Sequence, residues 1–97
     1  MILHTLNALP DSAACADCLD LIAPGDTLLL LGDGCYVALQ GCDILEAVFD
    51  RDIPVQVLAE DATARGIATR LQPRVSSIDM AGFVALTEHY PRQQAWY

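Results

Sequence analysis

Residues Thr27-Leu28-Leu29-Leu30-Leu31 form a continuous apolar run between two breakers, Pro24-Gly25 and Gly32-Asp33-Gly34. A run this short and uniform has no polar side to turn to water. It fits a strand buried on both faces, in the middle of a parallel sheet covered by helices. The neighbouring segments must then supply those helices.

Helical patterns do flank it. Pro10-Asp11-Ser12 is a start signal, with Asp11 or Ser12 as N-cap of a helix running to about Ile22. Its apolar face is Cys15, Cys18, Leu19 and Ile22, while Asp17 and Asp20 fall on the other side. A short helix through Tyr36, Val37 and Leu39 follows the glycine turn. Asp43, with Glu46 three residues on, is the expected cap of a helix carrying Ile44, Leu45, Val48 and Phe49. Glu60-Asp61 open another helix, which Gly66 ends or interrupts. Asp79 caps the last, with Phe83, Leu86, Thr87 and Tyr90 on one face and Pro91 closing it. Ile2–Leu6, Pro54–Leu58 and Val75–Ile78 read as further strands. Residues 67–73 are ambiguous, and the tail from Arg92 to Tyr97 has no helical pattern.

Strands alternating with helices predict an α/β fold: three layers, a mostly parallel sheet of four to five strands, helices on both faces and right-handed crossovers. The 97 residues suit a single domain spanning 1–97.

The chain is 54% hydrophobic and only 19% charged, which leaves apolar surface to cover on so small a body and points to partner chains. Its net charge of −8, with no basic stripe, repels phosphate backbones, so direct nucleic-acid binding is not expected. No segment is apolar for long enough to span a membrane, and no signal peptide is evident, so the expected compartment is the cytoplasm. A terminal Trp96-Tyr97 pair suits a partner interface.

In a reducing cytoplasm the four cysteines, Cys15, Cys18, Cys35 and Cys42, are thiols, ligands or nucleophiles before they are disulfides. Their separations of two, sixteen and six residues do not make the two close pairs of a zinc knuckle, and no metal is expected. No cofactor is expected either, since Gly32-Asp33-Gly34 lacks both phosphate-binding glycine patterns. Cys15-x-x-Cys18 lies inside a helix rather than at its start and on its apolar face, so both thiols read first as core residues and only second as a redox pair. Cys35 follows a strand at the start of a helix, where backbone N–H groups favour a thiolate; burial as a small apolar residue is its alternative. His4 and His89, the only histidines, fit either a Cys–His pair or a strand and a helix end.

Several segments together resemble the DsrH/TusB family of sulfur-relay subunits. They are Ile2-Leu3-His4-Thr5-Leu6-Asn7, the strand ending Gly32-Asp33-Gly34-Cys35-Tyr36, Glu60-Asp61-Ala62-Thr63-Ala64-Arg65-Gly66, Ile78 to Thr87, and Gln94-Ala95-Trp96-Tyr97. The resemblance implies a DsrE-like fold. It implies a heterohexamer with DsrE/TusD-like and DsrF/TusC-like subunits, which passes persulfide sulfur to a downstream TusE/DsrC-like carrier. In the Tus branch that sulfur becomes the 2-thio group of the tRNA wobble uridine; in the Dsr branch it is oxidised. The main sulfur-bearing cysteine of such complexes belongs to the DsrE/TusD-like subunit.

Some DsrH-like subunits carry a first-helix cysteine in a segment similar to Asp17-Cys18-Leu19, so the resemblance favours Cys18 as the sulfur-carrying thiol, while strand-end geometry favours Cys35; Cys18 ranks first and Cys35 second. Surrounding carboxylates work against thiol ionisation, which favours an accessory, structural subunit over a catalytic one. The competing expectations are a DsrH-type persulfide-handling subunit of sulfur oxidation, and a stand-alone ligand-binding α/β module.

Overall fold

The structure, a computed structural model, describes all 97 residues. The leucine run becomes β2, Thr27–Leu30, with every residue buried. Around it stand β1 (Leu3–Leu6), β3 (Val55–Leu58), β4 (Ser76–Ile78) and β5 (Gln93–Trp96). All neighbours pair in parallel, in the order β4-β3-β2-β1-β5, so β2 holds the centre. That position explains its composition, because a central strand of a covered sheet meets side chains on both faces.

The connecting helices are α1 (Ala13–Leu21), a 3-10 helix (Gly32–Ala38), α2 (Glu46–Asp50), α3 (Ala59–Ala64) and α4 (Met80–His89). Steps from β1 to β4 all run in one direction across the sheet. Right-handed crossovers place the helices of such a series on one face. There Leu6, Leu28, Leu30, Val55 and Val57 pack against Cys15, Cys18, Ile22, Val48, Phe49 and Ala62. The return from β4 to β5 reverses direction, so α4 covers the opposite face. Its Phe83 and Leu86, with Tyr90 just beyond, meet Leu3 and Leu29. The outer side of α4 leaves Met80 and Val84 about half exposed, at 49% and 48%.

Two expected caps form. Ser12 Oγ accepts from Cys15 N at 3.1 Å, and Asp79 Oδ1 accepts from Gly82 N at 2.8 Å. The expected Asp43 cap does not: α2 starts later, with Leu45 in the cap position, and it is the Asp43 carbonyl that accepts from Glu46 N. The ambiguous stretch 67–73 is an anchored loop. Leu71 bridges Leu39 antiparallel, and Gln72 Nε2 donates to the carbonyls of Val37, Leu39 and Cys42 at 3.2, 3.0 and 2.9 Å. No helix is long and apolar enough to cross a membrane.

Candidate functional site

In an open parallel sheet, ligands gather beyond the carboxyl ends of the strands. Here the chain's own loops fill that space. Asn7, after β1, accepts from Asp33 N through Oδ1 at 3.0 Å, and Asp61, in α3, accepts from Gly32 N through Oδ2 at 2.8 Å. Arg65 reaches Asp33 at 3.4 Å across the rim. A Cβ on Gly34 would overlap the Leu6 carbonyl oxygen, and one on Gly32, whose φ is +54°, would overlap the Asn7 side chain. Both glycines are needed because the loop lies directly on β1.

This packing carries Cys35 inward. Its Sγ lies 3.9 Å from the Leu30 carbonyl, and the residue is fully buried. Burial pushes the thiol up to about 11, Asp61 and Asp33 push in the same direction, and Arg65 opposes them. Cys18, on the inner face of α1, is also fully buried. Burial first, then the neighbouring Cys15, pushes its thiol up to about 12. Thiol exchange needs an accessible thiolate, and neither group offers one in this conformation. Cys15 is raised as well, by burial and then by Cys42 nearby.

The histidines pair with other groups than cysteine. His89 sits edge-on to Tyr90, with ring centroids 5.1 Å apart. His4 is buried between Asp26 and Trp96: its Nε2 lies 2.9 Å from Asp26 Oδ2, and Trp96 Nε1 donates to its Nδ1 at 3.1 Å. An indole N–H only donates, so Nδ1 presents its lone pair and Nε2 carries the hydrogen toward Asp26. Asp26 also accepts from Ile2 N and Ala23 N. Burial pulls the Asp26 carboxyl upward, yet the bonds from His4, Ala23 and Ile2 together hold it below its ordinary value. Trp96 is thus half-buried and tied into its own sheet, whereas Tyr97 is 89% exposed. No group of three or more His, Cys, Asp or Glu side chains is placed to hold a metal ion.

Sequence reasoning passed over one feature. Cys42 is the only cysteine of the four that is not buried. It lines an open cavity of about 410 Å³ together with Gln40, Asp43, Glu46, Gln72 and Arg74. The available signal was its setting, a polar turn beside Gly41 and Asp43, off the apolar stripe of any helix.

Comparison with known proteins gives this geometry a family. A family model described as DsrH like protein matches residues 10–93. The chain is 39% identical to protein TusB of Erwinia tasmaniensis over 95 residues, covering 98% of this chain and all of that one. It is 41% identical to protein TusB of Salmonella dublin, with the same coverage. The crystal structure of the ychN protein from E. coli superposes with a TM-score of 0.84 over 97% of each chain at 18% identity, a likeness of fold. With a family model over most of its length and full-length relatives at this identity, the chain belongs to the DsrH/TusB family and has a DsrE-like α/β fold.

Proposed function

We propose that the chain, as one domain over residues 1–97, is a structural subunit of a cytoplasmic sulfur-relay complex that serves 2-thiolation of the tRNA wobble uridine. Its partners are DsrE/TusD-like and DsrF/TusC-like subunits in a heterohexamer, and the sulfur passes on to a TusE/DsrC-like carrier. The observation that carries this reading is full-length similarity to proteins named TusB. The burial of Cys18 and Cys35 supports an accessory role, with the sulfur borne on a partner. Tyr97 and the outer side of α4, with Met80 and Val84, are exposed surface available to those partners.

The test is co-expression with the two partner types, followed by co-purification and by mass analysis of tRNA from a strain lacking this chain. A three-subunit complex and loss of 2-thiouridine support the reading. Normal thiolation without the chain contradicts it.

A DsrH-type role in sulfur oxidation is the second reading, favoured by the DsrH description of the matching family model. In that reading Cys18, then Cys35, is the sulfur-bearing thiol. Each would have to be uncovered by a movement of α1 or of the loop after β2. Sulfur mapped to Cys18 in the loaded complex would support it.

A further inference from the structure

Cys42 differs from the other thiols in access, and its surroundings are charged in a specific pattern. The cavity wall holds two carboxylates, Asp43 and Glu46, and one guanidinium, Arg74. Arg74 is held in place: its Nη2 donates to the Phe49 carbonyl at 3.1 Å, and the guanidinium lies 4.7 Å over the Phe49 ring. Gln72 is pinned by its three carbonyl partners, so that side of the wall is preformed. At about 410 Å³ the space falls in the size range of small-molecule sites. A small zwitterion carries the matching set, an ammonium for the carboxylates and a carboxylate for the guanidinium.

We infer that this cavity binds a small zwitterionic persulfide of the cysteine type, and that Cys42 is the thiol that takes its outer sulfur. The inference rests on membership of the sulfur-relay complex and departs from the purely structural role in that reading, giving the chain a sulfur-accepting residue and a substrate class. In the step, the Cys42 thiol releases its proton to solvent, and the thiolate attacks the terminal sulfur of R–S–SH. A bond forms between Cys42 Sγ and that sulfur as the donor's S–S bond breaks. R–S⁻ leaves and is protonated by solvent, and Cys42 retains the –S–SH group. No oxidant or reductant is consumed. The chain then offers an entry for small-molecule sulfur beside the partner-borne carrier.

The test uses the full chain under native conditions. Iodoacetamide with peptide mapping should label Cys42 at least about tenfold faster than Cys15, Cys18 and Cys35. Cysteine persulfide should add about 32 Da, one sulfur, at Cys42. Cys42→Ser should gain none there. The double variant Asp43→Asn, Glu46→Gln should slow transfer from cysteine persulfide about tenfold relative to inorganic polysulfide, which has no ammonium to bind. Equal labelling of all four thiols, or sulfur arriving first at a buried one, overturns the assignment of Cys42, and this arm needs no variant to fold. Equal slowing with both donors overturns the substrate class. If Cys42 is inert while the chain still assembles with its partners, the inference fails and the functional reading stands. If Cys42 takes sulfur while no partner binds, the reading fails and the site remains.

Discussion

The indole N–H of Trp96 donates to Nδ1 of His4 at 3.1 Å, joining residues 92 positions apart. It ties the last strand to the first, and through Nε2 it extends to Asp26 ahead of β2. Trp96→Phe keeps most of the packing area but leaves a buried ring nitrogen without its donor. It is expected to cost about 1–3 kcal/mol. Urea unfolding followed by circular dichroism measures this, and an unchanged midpoint would show that the bond contributes nothing net.

Asp26 makes the same clasp sensitive to acid. Its folded carboxyl is held below the ordinary value, so its stabilising contribution is fully present above that value and is lost as pH falls through the depressed one. In the unfolded chain Asp26 binds its proton first, and the native state is penalised from there downward. Asp26→Asn should lower stability near neutral pH and flatten its decline in acid. Thermal unfolding at several pH values tests this, and parallel curves for the two proteins would refute it.

The buried thiols act at the alkaline end. Cys18 and Cys35 are raised from an ordinary 9.0 to about 12 and about 11. A raised folded value means that their contribution is intact below about 9 and disappears as pH climbs toward 11 and 12, because the unfolded chain ionises first. The double variant Cys18→Ala, Cys35→Ala should therefore lose less stability between pH 8 and 11 than the native chain, although cavities make it less stable at pH 7. Matched losses over that range would show that the native thiols ionise normally.

Gly34→Ala should be among the most damaging single changes. The new methyl meets the Leu6 carbonyl, which is backbone inside the central sheet and cannot move aside. A loss of about 3 kcal/mol or more is expected, or failure to fold. Gly66→Asn is the control. Gly66 has a positive φ of 72° but open space around it, and Asn tolerates that conformation, so the change should be mild.

Gln56 sits in β3 between Leu29 and Ser76, on the α4 side, and its Oε1 is buried without a partner. Gln56→Leu should raise stability by about 1 kcal/mol, since an unpaired buried carbonyl oxygen is costly and Leu has a similar volume. A loss of stability, measured by the same unfolding assay, would mean that the amide is held by contacts its oxygen does not make.

Much of the fold was legible because local rules and tertiary structure agree. The leucine run, the Ser12 and Asp79 caps and the alternation of strands and helices each follow from short-range chemistry that the sheet then uses. The segments resembling the DsrH/TusB family were equally readable, being spread over the whole chain. The Asp43 cap was misplaced because a carboxylate followed by a glutamate is only permissive of a helix start; packing of Leu45 and Val48 into the core decided where α2 begins.

Three things were settled only in three dimensions. Gln93–Trp96 is a strand although three of its residues are exposed, because the backbone of β1 beside it needed partners, and no side-chain alternation records that. Cys35 stands at a strand end in the sequence but faces the core, because Gly32 and Gly34 let the loop close onto β1. Cys42 sits off every apolar stripe, in a polar turn, but no pattern in the sequence shows that it alone of the thiols lines a cavity. Sequence alone determined the order of elements as far as α4, and the family, which depend on neighbouring residues and on the whole string. The accessibility of each thiol depended on residues far apart in the chain, and only the assembled sheet could decide it.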